Sequence, residues 1–324
     1  RGMGNAIYSD GLVWGARCFI NPLKVTPAPR QPIRIGGKTY RNGQKAGRVI
    51  GFRFDAVPQD PNDPAVRVYR IRRDYASMSL DEYRRDAAET FEVFLSQVTD
   101  AQIEAVRSQY DKDWKEWPVQ YGAPFIDRNG NGVYDSPPPF SSTFTVDSLI
   151  AQKRDEPGVA GVDVNSPADQ VIWTVTNDLD VNQTVGFAFS EPLGLEIQYT
   201  IWGYKRWDAL GTIIFKRARI INKGGVEVDS ATHAKGAFWL DSMFVCQWTD
   251  IDLGDWRDDL SGCDSLLHMG FVYNGKDVDD VFQKFNLPPP AIGYAFLAGP
   301  IVPSGGDSAV FGFKRRINFR NLGM

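Results

Sequence analysis

Histidine is nearly missing from this 324-residue chain: His233 and His268 alone cannot build a multi-histidine metal centre. His268 sits in the apolar stretch Leu266-Leu267-His268-Met269 and reads as a structural residue. Cysteine is almost as scarce. Cys18, Cys246 and Cys263 form no Cys-x-x-Cys pair, which excludes zinc-ribbon and dithiol redox motifs. They read first as free thiols acting as small hydrophobes, with a Cys246–Cys263 disulfide left open for an oxidising compartment. No apolar run reaches the roughly 18 residues of a spanning helix, and no apolar h-region follows Arg1-Gly2-Met3-Gly4. No G-x-S-x-G elbow, P-loop or dinucleotide fingerprint appears, nor any internal repeat or low-complexity tract. Positive charge is in slight deficit, 36 Lys and Arg against 40 Asp and Glu, so nothing draws the chain to a phosphate backbone.

Aromatic residues, Gly and Pro are abundant. Nine Trp, twelve Tyr and twenty Phe favour pleated surfaces, and 31 Gly with 20 Pro suit many turns. The expected fold is mainly β (α+β), with antiparallel β-sandwich-like sheets and a small helix pair near residues 79–117. Ser79-Leu80-Asp81-Glu82 and Thr99-Asp100-Ala101-Gln102 are capping boxes that open the two helices. Apolar residues then recur at Tyr83, Ala87, Phe91, Phe94, Leu95 and Val98, and at Ile103, Val106, Tyr110, Trp114 and Trp117; Pro118 closes the second helix. From Gln170 the pattern lengthens into strands. In 195–204, Leu195, Ile197, Tyr199 and Ile201 fall on one face, and Glu196, Gln198 and Thr200 on the other. By pattern the chain divides into 1–125 (short strands and helix pair), 126–168 (a polar loop and connector) and 169–324 (long strands). The first and last parts could form one continuous domain.

The strongest chemical feature is Asp127-Arg128-Asn129-Gly130-Asn131-Gly132-Val133-Tyr134-Asp135. Oxygen side chains stand at positions 1, 3, 5 and 9 (Asp127, Asn129, Asn131, Asp135), and the Val133 carbonyl stands at position 7. Gly132 occupies position 6, where a calcium loop turns sharply. Calcium takes six to eight oxygens, and short polar side chains at alternate positions of a tight loop supply them. Pro138 replaces the bidentate glutamate of an EF-hand and no helical pattern flanks the loop, so an extracellular clamp is expected rather than a switch. A second candidate is the acidic run Asp250, Asp252, Asp255, Asp258 and Asp259, whose carboxylates would repel without a cation, Arg257 or solvent to relieve them. Asp178 and Asp180 form a smaller one.

Several of these runs occur together in order. Besides the calcium loop there are Asp155-Glu156-Pro157-Gly158, Asp169-Gln170-Val171-Ile172-Trp173, Asn177-Asp178-Leu179-Asp180, Trp202-Gly203-Tyr204, Ile220-Ile221-Asn222-Lys223-Gly224, Asp241-Ser242-Met243 and Asp250-Ile251-Asp252-Leu253-Gly254-Asp255. In this order, over residues 5–324, the chain resembles large, uncharacterised secreted bacterial surface proteins of the kind exported with a C-terminal type IX secretion sorting domain. The resemblance implies a secreted, extracellular or cell-surface location and further domains beyond this segment; it implies no activity. Asp-Ser followed by a small or apolar residue, at Ser148, Ser230, Ser242, Ser265 and Ser308, resembles an O-glycosylation signal of bacteria with this export route. Asn182-Gln183-Thr184 fits the N-glycosylation pattern.

These observations lead to a non-catalytic, Ca2+-stabilised extracellular or cell-surface structural or interaction protein. Its expected partners are other surface proteins, copies of itself and glycans, with no nucleic acid and no membrane span. The alternative is a carbohydrate-binding module or glycoside hydrolase. Trp202, Tyr204, Trp207, Trp248 and Trp256 read first as packing residues, but exposed beside carboxylates they would suit sugar stacking.

Overall fold

The computed structural model describes residues 6–39, 42–160, 166–311 and 314–323. They fall into two compact units, residues 11–248 and residues 249–323 with 6–10. The first unit runs across residues 125 and 168, because strands from the N-terminal part join the long-strand sheet.

In the first unit the centre is an antiparallel five-stranded sheet. Leu195–Gly203 pairs on one side with Phe215–Asn222 and on the other with Gln170–Asn177. Tyr69–Arg72 and Lys45–Ala46 then pair with the far side of Gln170–Asn177. A three-stranded sheet, ordered Trp239–Asp250, Ser9–Phe19, Ile33–Lys38, covers one face. Between the sheets Leu12, Trp14, Ala16 and Cys18, alternate residues of one strand, meet Leu195, Ile197 and Tyr199, alternate residues of the other. This is the expected sandwich, and each large apolar side chain it buries contributes roughly 1.5–3 kcal/mol.

The opposite face of the central sheet carries the helices. Helix α1 (Leu80–Thr90) and helix α2 (Asp100–Lys115) begin at the two capping boxes, both fully formed. They bury Tyr83, Ala87, Ile103, Val106, Tyr110 and Trp114 against Tyr69, Ile71, Val171 and Trp173. The Trp114 ring centroid lies 4.6 Å from that of Phe140. The first helix stops before the apolar pattern does: Glu92 has φ +51, and Phe94 and Leu95 are exposed. The alternation of Leu195–Gly203 holds, yet Glu196, Gln198 and Thr200 are buried as well, under this second layer.

The cap at α1 has a measurable consequence. Glu82 accepts from the Ser79 backbone N–H at 2.9 Å and from Lys205 Nζ at 3.0 Å, which hold its carboxyl down at about 2. A folded-state value below the ordinary 4.5 means that its stabilisation is present above pH 4.5 and is lost as pH falls through about 2. An NMR titration of Glu82 is expected to show that low midpoint. Lys205→Met should raise it only in part, because the Ser79 N–H remains; an ordinary glutamate midpoint in the wild-type chain would contradict the cap.

Two further helices were not apparent from sequence. Helix α3 (Val146–Ala151) is capped by Thr145, and helix α4 (Val181–Ala188) by Asp180, whose Oδ1 accepts from the N–H groups of Asn182 and Gln183. Among the described residues no helix is long and apolar enough to cross a membrane.

The second unit holds an antiparallel sheet of Asp259–Asp264, Met269–Asn274 and Ala291–Ala295, and a long hairpin of Ile301–Phe311 with Lys314–Asn321. Its described core is thin: Leu253, Asp279 and Ala309 are buried, whereas Leu266, Leu297, Ile317 and Val310 are each about two-thirds exposed or more.

Candidate functional site

The Asp127–Asp135 loop springs from a two-residue ladder, Phe125–Ile126 paired with Glu156–Pro157. Asp127 organises its first turn: Oδ1 accepts from the Gly130 N–H at 2.6 Å and Oδ2 from the Gly132 N–H at 2.8 Å. Both contacts need the chain to fold back sharply, and Gly132 does so at φ +76, a left-handed conformation that a side chain would oppose. Asn129 Oδ1 accepts from the Asn131 N–H at 2.9 Å, and Asn131 Oδ1 from the Val133 N–H at 2.8 Å. The amide groups of Asn129 and Asn131 then converge on one carboxylate, donating to Asp135 Oδ2 at 3.2 and 3.4 Å. Val133 exposes 61% of its surface and packs nothing, so its place in the loop is that of a backbone residue.

The residue that closes the loop is Asp155. It is fully buried, and its two oxygens accept from the backbone N–H groups at both ends of the loop, Arg128 at 3.1 Å and Asp135 at 3.0 Å. Its neighbour Glu156, also fully buried, lies between Arg128 (2.6 Å) and Arg73 (3.1 Å). Arg73 directly follows the edge strand Tyr69–Arg72, so this ion triad ties the loop base to the central sheet. Trp117, beyond the end of α2, donates its indole N–H to the Pro124 carbonyl at 2.7 Å and ties the same base to the helix layer.

As a donor set the loop is all hard oxygen: two carboxylates, two side-chain amides and the Val133 carbonyl. That chemistry suits calcium completed by water and offers no nitrogen or sulfur ligand for zinc. Among the described residues no three His, Cys, Asp or Glu side chains gather to hold a metal. An ion here would therefore depend on the neutral amide oxygens of Asn129 and Asn131.

The second acidic run is arranged differently. Asp250 ends a strand, its carbonyl accepting from the Tyr8 N–H, and the Asp252 carbonyl accepts from the Gly254 N–H. Asp255 is held at about 2 by the Arg257 guanidinium, which forks onto both of its oxygens. Asp258 pairs with Lys276 at 3.2 Å, and Asp259 caps the Leu253 N–H at 2.9 Å. Asp279 is the buried organiser, with its oxygens accepting from the N–H groups of Asp255, Val281 and Phe282. A Cβ at Gly254 (φ +77) would lie 2.3 Å from Asp279 Oδ1, so glycine is required there. Repulsion in this cluster is thus relieved by cations and backbone N–H groups of the chain itself.

The remaining candidates are dispersed. Asp178 is a buried structural carboxylate, and Asp180 is a helix cap paired with Lys45 at 3.1 Å. All three cysteines are free: Cys18 is buried, while Cys246 and Cys263, weighed as a disulfide, are both exposed single thiols. Ser230, Ser242, Ser265, Ser308 and Asn182 are exposed, and Ser148 is half-buried within the α3 cap. Trp202 stacks on Phe215 at 5.5 Å and Trp248 lies under Lys38, so both pack, whereas Trp207 and Trp256 are exposed. Asp155 carried no local sequence pattern, since both N–H groups it serves lie 20 or more residues back in the chain; Asp279 also caps the local Val281 and Phe282 N–H groups, which sequence reasoning missed. No protein-family model, curated protein or solved structure matches this chain.

Proposed function

We propose that this chain is a non-catalytic, calcium-stabilised extracellular or cell-surface structural and interaction protein. The observation that carries the reading is the convergence of Asn129 and Asn131 on the Asp135 carboxylate, over a turn already shaped by Asp127 and Gly132. Two amide N–H groups partly balance that carboxylate. Calcium takes their place: each amide turns its oxygen inward, exchanging its bond to the Asn131 or Val133 N–H for the ion, and the Asp155 brace stays intact. The ion then locks a segment rooted in both the central sheet and the helix layer, a clamp rather than a switch.

The second unit supports the interaction part. Exposed Leu266, Leu297 and Ile317 on a thinly cored sheet and hairpin suit association with other surface proteins or with further copies.

The test is a thermal melt in excess EDTA and again in calcium. Calcium at a hundredfold excess over its dissociation constant is expected to add about 2.7 kcal/mol. Magnesium, which resists losing its water, should add far less. An unchanged melting temperature across the EDTA and calcium samples sinks the calcium reading.

A further inference from the structure

The polar face of the central sheet ends in a cleft lined by residues of the first unit outside the Asp127–Asp135 loop. Its floor is set by strand register: Glu196 stands opposite Ile221, and Gln198 opposite Arg219. All four side chains therefore lie on the same face of two adjacent strands, the outer of which is the edge strand Phe215–Asn222. Arg48 and Lys223 stand at the walls, with Tyr121 and Phe52 beside them, enclosing about 380 Å³. That is the size of a small ligand site.

Three features of the lining point the same way. Arg48, Arg219 and Lys223 have no carboxylate partner within ion-pair distance among the described residues, unlike the many paired arginines elsewhere in this unit. They outnumber the one carboxylate of the cleft, Glu196, which is buried and already accepts from the Val49 N–H and from Gln198 Nε2. A net positive cleft on a chain of formal charge −4 is a local feature and not a trend of composition. Second, the cations are held over aromatic faces: the Arg48 guanidinium lies 3.4 Å from the Tyr121 ring centroid, and Lys223 Nζ 5.0 Å from that of Phe52. This positions charge without neutralising it. Third, Gln198, only 5% exposed, donates its amide N–H groups to the Tyr121 carbonyl and to Glu196, which fixes Tyr121 at the cleft wall and occupies the one carboxylate there.

We propose that this cleft binds an acidic saccharide. Its carboxylate or sulfate groups meet Arg48, Arg219 and Lys223, and a sugar ring packs against the exposed parts of Tyr121 and Phe52. A single carboxylate lines the cleft, and it is spent on the backbone and on Gln198. The site therefore binds and does not hydrolyse, since glycoside hydrolysis needs two carboxylates across the bond.

The test is isothermal titration of the full chain with oligogalacturonate, with sulfated dextran oligomers, and with neutral dextran oligomers of matched length. Binding of either charged ligand, weakening as salt rises, is expected, and the two charged arms tell carboxylate from sulfate recognition. Arg219 is exposed, so Arg219→Glu should keep the wild-type melting temperature while weakening the charged ligand about tenfold or more, the scale of one charge-assisted hydrogen bond. Lys223→Ser should weaken it in the same direction. Failure of both charged ligands to bind, equal binding of the neutral oligomer, or full affinity in Arg219→Glu would each overturn the proposal. None of these outcomes bears on the calcium melt, so the two readings fail separately.

Discussion

Asp155→Ala is expected to lower the stability of the first unit by about 3 kcal/mol, since two hydrogen bonds to a buried charged acceptor are lost at about 1.5 kcal/mol each. Those donors, on Arg128 and Asp135, bracket the loop, and the one carboxylate accepts from both. Removing it does more than subtract two hydrogen bonds. The ends of the loop are freed while Glu156 still holds Arg128 and Arg73, so the damage enters at the loop and spreads to the base. In a domain of this size the melting midpoint should fall on the order of 10 °C. If the proposed calcium site holds, its stabilising effect should shrink with it, because Asp127 and Asp135 are no longer kept at a fixed separation. Calorimetry of the variant with and without calcium separates the two effects. A variant within about 0.5 kcal/mol of wild type, the range of ordinary surface changes, would show that the loop closes without Asp155.

What could be read from the sequence follows the reach of each interaction. The Ser79 and Thr99 caps involve residues three apart, and both formed as written. The Asp127–Asp135 turn is equally local, and its glycines fell where the oxygen spacing demanded them. The faces of Leu195–Gly203 were legible from alternation, but the burial of Glu196 and Gln198 was not. That depends on a helix layer and a loop that arrive from far back in the chain. Asp155 escaped for the same reason, since a carboxylate serving distant backbone N–H groups leaves no periodic trace. Asp180 shows a different limit: Asp180-x-x-Gln183 before Val185 and Phe187 was a local helix start that the pattern reading passed over. The divisions at 125 and 168 followed changes of pattern, with one continuous domain left open, and the central sheet crosses those changes by pairing Tyr69–Arg72 with Gln170–Asn177.

Asp178 leads to the second large effect. Its carboxylate is buried where the chain enters the central strand, and accepts from the N–H groups of Leu193 (2.9 Å), Gly194 (3.0 Å) and Leu195 (2.7 Å). Asp178→Ala strands all three donors between the sheets, and a loss of about 3–5 kcal/mol is expected, the scale of removing one partner from a buried ionic arrangement. Asp178→Asn should cost less, because the amide oxygen keeps some of the N–H bonds while its own NH2 finds no acceptor. The two variants also differ from wild type in pH dependence. Burial pushes the Asp178 carboxyl up to about 6, against the pull of the three N–H donors and of Arg34. With the folded value above the unfolded one of 3.8, the folded state takes up a proton first as pH falls. This contribution is fully present below pH 3.8 and is lost as pH rises through about 6. Neither variant titrates at this position, so wild type should gain stability relative to both between pH 6 and 4. Denaturant melts of the three proteins at those two pH values measure that gain; parallel curves at both would mean that Asp178 stays ionised and that its three N–H partners outweigh its burial.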